Sequence, residues 1–223
     1  MARQRSIFDI VGPVMIGPSS SHTAGAVRLG SLARAVFGHE ISAANIGLHG
    51  SFASTGSGHG TDLALVAGLL GMAPDDARIR DSLTLARESG LDVTFEVVDL
   101  GEAHPNTACL TLSAPGGSTM KVRGSSLGGG DVMVTRIDDY DVEITGDLPV
   151  LAVAHIDRPG KIAAVSSILA EAGVNIASMT VSRERRGAGA LMLIETDVEV
   201  DAVTVALVAE SDGVLDVRAV PAV

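Results

Sequence analysis

Val150-Leu151-Ala152-Val153-Ala154-His155-Ile156-Asp157-Arg158-Pro159-Gly160-Lys161-Ile162 decides the architecture of the last third of the chain. Residues 150–156, Val, Leu, Ala and Ile with one histidine, His155, read as a strand. A helix is expected over 160–172, with Asp157 able to cap it and Pro159 suited to its first turn. Downstream, strands are expected over 174–182 and 190–196, a helix over 200–210 and a last strand over 214–220.

Taken in order, these elements give βαββαβ, the ferredoxin-like split pattern. Thr145-Gly146-Asp147 marks a boundary upstream of it, so the expected domains are 1–146 and 147–223. The first domain has a different texture. Helical patterns cover 23–37 and 61–71, and Pro74-Asp75-Asp76 opens a third helix that ends near Gly90. In the first of these, Ala24, Val27, Ala33 and Val36 share an apolar side, with Arg28 and Arg34 outside it. A short strand is expected over 41–48. From Leu91 the period becomes two: a strand over 93–98, a hairpin of 107–113 with 118–123, a flexible loop over 125–131 and a strand over 132–137. The fold class is α/β in the α+β sense, a mixed and mainly antiparallel sheet with helices, followed by the βαββαβ domain.

Composition narrows the function. The chain has 223 residues, 46% hydrophobic and 19% charged, as a packed globular protein does. A net charge of −11 and 2% aromatic content argue against nucleic acid, which needs basic stripes and stacking surfaces. No apolar run reaches the length of a membrane span, and Asp9 interrupts any signal-peptide core after Met1-Ala2-Arg3-Gln4-Arg5, so a cytoplasmic location is expected. There is one cysteine, Cys109, which rules out an internal disulfide or an all-cysteine metal site; its apolar neighbours mark it as a buried structural thiol.

Chemistry concentrates in two glycine-bracketed stretches. One is Gly17-Pro18-Ser19-Ser20-Ser21-His22-Thr23-Ala24-Gly25. The other is Gly50-Ser51-Phe52-Ala53-Ser54-Thr55-Gly56-Ser57-Gly58-His59-Gly60-Thr61-Asp62. Each precedes a helical run, so each is expected to be a loop that brings hydroxyls and an imidazole to a helix N-terminus. Free N–H groups and the helix dipole favour an anion there. A neutral imidazole adds a proton acceptor near pH 7. His59, flanked by Gly58 and Gly60, is the first candidate for a general base and His22 the second. Asp62 either orients His59 or favours the helix dipole. His39 and His49 read as structural, Lys121 and Arg123 as solvent-facing strand charges. No spacing of His or carboxylates suggests a metal ligand in this chain.

The residues from His155 to Ile162, with Gly173-Val174-Asn175-Ile176-Ala177, resemble an ACT domain, a small-molecule-binding regulatory module. That resemblance implies an effector site at His155, Asp157, Pro159, Gly160 and Asn175, and side-by-side pairing of domains. The two histidine stretches, His104-Pro105-Asn106-Thr107 and Gly128-Gly129-Gly130 extend it to the whole chain, which resembles the β subunits of two-subunit, iron–sulfur-dependent L-serine dehydratases. The first domain then resembles the allosteric-substrate-binding domain of some D-3-phosphoglycerate dehydrogenases.

The resemblance implies a lyase that removes water from L-serine, giving pyruvate and ammonia. It implies catalytic roles for His59 and His22, and substrate contacts from Ser19, Ser20, Ser21, Thr23, Thr61, Asp62, His104 and Asn106. A [4Fe-4S] cluster, the implied Lewis acid, needs cysteine thiolates and therefore a cysteine-bearing α subunit as partner, in a dimer of heterodimers. Two other readings stand beside this one: a non-catalytic amino-acid-sensing regulatory subunit, and a module for a phosphorylated hydroxy acid.

Overall fold

The computed structural model describes residues 14–223; the basic run Met1-Ala2-Arg3-Gln4-Arg5 and Asp9 lie outside them. The chain divides into two compact units after Asp138. In the first, a π-helical turn, Ser20–Ala24, runs directly into helix α1, Gly25–Phe37. Strand β1 (Ala43–Leu48), helices α2 (Gly50–His59) and α3 (Thr61–Leu69), a 3₁₀ turn (Ala77–Asp81) and helix α4 (Ser82–Glu88) follow. Strands β2 (Asp92–Val97), β3 (Thr107–Ser113), β4 (Thr119–Gly128) and β5 (Asp131–Ile137) complete the unit.

These strands lie in the order β2-β1-β3-β4-β5. Only β1 and β2 run parallel, which the intervening helices allow; the other neighbours are antiparallel. Ala108, Leu110 and Leu112 alternate onto one face of β3 and are buried with Val122, Val132 and Val134. Helix α1 packs on β4 and β5 and buries Val27, Leu29, Leu32, Ala33, Val36 and Phe37, more than a single side. Arg34 stays exposed, whereas Arg28 is half-buried and its Nη1 donates to Gly130 O at 2.8 Å.

Helices α1 and α3 cross backbone against backbone. A Cβ added to Gly30 would stand 2.3 Å from Leu65 O, and one on Gly68 would stand 2.1 Å from Val27 O. Only glycine permits that approach. It ties together the two helices that follow the histidine stretches.

Several expectations fail in the structure, the first of the two histidine stretches being a π-helical turn rather than a loop. The second histidine stretch is helix α2 rather than a loop, despite its Gly and Ser content. Tertiary contacts override the weak propensity. The Ser51 and Phe52 N–H groups donate to Pro105 O at 2.8 and 3.4 Å, and the Phe52 side chain is fully buried. Burying a phenyl ring contributes roughly 1.5–3 kcal/mol. Two N–H groups at the α2 N-terminus are therefore taken by a protein carbonyl. The stretch 125–131 is not a flexible loop either, because β4 continues through buried Ser125 and Ser126 to pair Gly128 with Asp131, leaving Gly129 and Gly130 as the turn.

The second unit holds β6 (Tyr140–Ile144), β7 (Val150–Ile156), α5 (Lys161–Glu171), β8 (Ile176–Arg183), β9 (Gly189–Thr196), α6 (Ala202–Ala209) and β10 (Val214–Val220). From β7 onward the order is βαββαβ in an antiparallel sheet, β10-β7-β9-β8. Leu151, Val153, Met192 and Ile194 from the sheet meet Val165, Leu169 and Val208 from the helices. Asp201 caps α6 through Thr204 N. Asp157, in contrast, does not cap α5: the cap position is Gly160 at φ 89°, and the Asp157 carboxylate accepts from Gly187 N and Arg183 Nη1.

Candidate active site

His22 is the centre of the site. Ser19 caps the π-helical turn, its Oγ accepting from His22 N at 3.2 Å and lying 3.4 Å from the ring Nδ1. On the other side of the ring, Nε2 is 3.2 Å from Ser51 Oγ and 3.1 Å from Thr55 Oγ1. Those two hydroxyls share a face of α2 because residues four apart stack on a helix. Phe52 meets the imidazole edge-on at 5.3 Å, and the His59 ring lies 5.2 Å away. Both histidine stretches thus converge on one spot, with His22 from the π-helical turn and His59 from the last turn of α2.

The other sequence elements support the pair from behind. Pro105 O holds the start of α2, and Asn106 O accepts from Ser126 N at 2.9 Å. A Cβ on Gly25 would strike Ser126 Oγ at 2.0 Å, so the first helix seats directly on β4. Ser21 Oγ lies beside Gly128. His104-Pro105-Asn106 therefore positions α2, with His104 itself exposed and its Nδ1 accepting from Asn106 N. His104 also lines an open cavity of about 370 Å³ with Arg123 and Ser125, apart from the two-histidine cluster.

Electrostatics favour a neutral His22. Burial holds its pKa below the ordinary histidine value, and the neighbouring His59 pushes it the same way; the Ser51 backbone bond opposes them. A neutral ring near pH 7 can accept a proton.

The remaining candidates take the following positions. Thr23 and Thr61 are buried, and their hydroxyls have no hydrogen-bond partner. Asp62 Oδ1 accepts from Leu63 N at 2.9 Å, a contact at the start of α3. Ser20 and Ser21 are half-buried in the π-helical turn. Gly58 lies within α2 with open space around it, while Gly60 takes the left-handed conformation, φ 69°, that separates α2 from α3. Ser51 and Thr55 carried no assigned role in the sequence reading; their four-residue spacing becomes a signal only once 50–59 is known to be helical.

In the second unit, His155 is buried, its Nδ1 donating to Ile156 O and its Nε2 without a partner. Asn175 Nδ2 donates to Asp197 Oδ2 at 2.7 Å, and Pro159 and Gly160 are exposed just before α5. His49 accepts from Leu100 N, and His39 stacks edge-on with Phe37. The Cys109 thiol is buried, and burial pushes its pKa up. Among the described residues no group of three His, Cys, Asp or Glu could hold a metal. A cluster needs several thiolates and one cysteine cannot supply them, so the residues of this chain do not fit an iron–sulfur centre. No helix among the described residues is long and apolar enough to cross a membrane.

Residues 6–89 match the family described as serine dehydratase beta chain, and residues 150–210 match the ACT domain. A probable L-serine dehydratase beta chain of Bacillus subtilis is 44% identical over 89% of this chain and 90% of its own length. The chain belongs to the serine dehydratase beta-chain family. An L-serine dehydratase beta chain of Peptoniphilus asaccharolyticus is 38% identical over 86% of this beta chain and 87% of its own. A D-3-phosphoglycerate dehydrogenase of Synechocystis is 28% identical over 76% of this chain but only 30% of its own length. The serine dehydratase beta-chain match covers the helical part, where His22 and His59 lie, and the ACT match falls within the second unit.

Proposed function

We propose that this beta chain supplies the proton-moving half of an L-serine dehydratase whose active site is shared with an α subunit. The observation that carries the reading is the 5.2 Å approach of His22 and His59 from two separate stretches. Removing water from L-serine requires a base for the α-proton and assistance to the departing β-hydroxyl. His59, exposed at the end of α2, is the base; His22, kept neutral, sits beside it. Ser19, Ser20, Ser21, Thr23, Thr61, Asp62, His104 and Asn106 make up the substrate-holding set, and Ser19 is the member that touches His22. Assistance to the hydroxyl falls to a [4Fe-4S] cluster on the cysteine-bearing partner, since this chain has a single cysteine.

The ACT unit serves as the effector domain, with His155, Asp157, Pro159, Gly160 and Asn175 as its ligand set and paired ACT units joining two heterodimers. The test is anaerobic co-expression with the partner. A brown complex that forms pyruvate from L-serine supports the reading. If a His22→Ala/His59→Ala double variant kept full turnover in that complex, the chain would be an amino-acid-sensing regulatory subunit.

A further inference from the structure

The site fixes not only where His22 lies but which of its nitrogens carries the proton. A hydroxyl has one hydrogen to donate. Thr55 Oγ1 lies 2.8 Å from Ser51 O, and a carbonyl oxygen can only accept, so the Thr55 proton is committed there. The same Oγ1 stands 3.1 Å from His22 Nε2 and has only lone pairs left to offer it. That contact is a hydrogen bond only if Nε2 carries the proton. Ser51 Oγ, 3.2 Å from Nε2, can accept from the same N–H.

The other end of the ring agrees. In the neutral Nε2–H form, Nδ1 is a bare acceptor. Ser19 Oγ already accepts from His22 N, so its own proton is free to point at Nδ1 across 3.4 Å. In this form the Nε2 proton is shared between Thr55 Oγ1 and Ser51 Oγ, and Nδ1 receives the Ser19 proton. The opposite tautomer would face the Nε2 lone pair against the Thr55 lone pairs at 3.1 Å, a repulsive contact in a half-buried setting.

We propose that Thr55 is a positioning residue that locks His22 in the Nε2–H tautomer, leaving Nδ1, beneath the Ser19 hydroxyl, as the only proton-accepting atom of that ring. Any proton His22 receives therefore arrives at Nδ1. In a relay, Ser19 passes its hydroxyl proton to Nδ1 and takes one from a solvent hydronium ion in the same step, leaving water. Atoms balance, and His22 gains the single positive charge. Thr55 touches neither substrate nor reacting atoms; it acts through the ring. The lock itself stands on this geometry alone; its catalytic consequence rests on the proposed function.

The test is nitrogen NMR of the full chain labelled with ¹⁵N-histidine, above the pH at which His22 titrates. In the wild type, His22 should show a protonated Nε2 and an unprotonated Nδ1. Ser51→Ala keeps the lone-pair constraint of Thr55 and should leave that pattern unchanged. Thr55→Val removes it and should give shifts averaged between tautomers, and Thr55→Ser should restore the locked pattern. A wild-type ring protonated at Nδ1, or averaged shifts in the wild type, overturns the proposal without any activity measurement. So does loss of the lock in Ser51→Ala with its retention in Thr55→Val. Because the spectrum is read on the chain alone, failure of the lock stays separate from failure of the serine dehydratase reading, which the assembled complex decides.

Discussion

The imidazoles of His22 and His59 lie with ring centroids 5.2 Å apart, although 36 residues of sequence separate them. At that distance a charge on His59 disfavours one on His22. Burial first, and this like-charge repulsion after it, hold the His22 pKa below the ordinary value.

The first prediction follows from that proximity. Changing His59 to Ala removes a neighbouring positive charge and should raise the His22 pKa toward the ordinary value, leaving the effect of burial in place. The sign for stability is fixed by the lowered folded pKa. Between that value and the ordinary 6.5, the unfolded chain binds the extra proton, so this contribution is lost as pH falls through the window. NMR titration of the His22 ring in both proteins measures the shift, and an unchanged or lower pKa in the variant contradicts the coupling.

Glycines near the site should divide sharply. Gly68→Ala drives a methyl toward Val27 O and Gly30, so it should destabilise by roughly 1–3 kcal/mol or more. Gly58→Ala meets nothing within 4 Å inside a helix and should be neutral, or stabilising by roughly 0.5–1 kcal/mol. Chemical denaturation of the two variants provides the comparison. Equal losses would mean that the α1–α3 crossing is looser than described.

Much of this was legible in the chain. The βαββαβ order followed from Val- and Ile-rich runs and the break at Asp157-Arg158-Pro159-Gly160, because that unit carries its pattern locally. The convergence of both histidines was expected, but its geometry was not. Gly50–His59 reads as a loop because its helicity comes from a buried Phe52 and a carbonyl on Pro105, more than fifty residues later. Ser125 and Ser126 likewise look like loop residues until pairing across β4 buries them. Residues whose conformation is set by distant partners leave no periodic trace.

In the ACT unit, Asp201 accepts from both the N–H and the hydroxyl of Thr204, and those bonds hold its carboxyl below the ordinary 3.8. Its contribution is complete above that ordinary value and is lost as pH falls through the lower folded one. Asp201→Ala should therefore melt earlier than the wild type at neutral pH, with the gap closing in acid. Melting temperatures across a pH series decide this, and a gap that stays constant into acid would remove the carboxylate from the account.

The central claim is that His59 is the base of a serine-dehydrating site shared with a partner. Steady-state pyruvate formation by the anaerobically assembled complex carrying His59→Ala tests it most directly. Loss of roughly 10²–10⁴-fold in turnover, with the partner still bound and the complex still brown, is the predicted result. Wild-type turnover in the intact His59→Ala complex would contradict it.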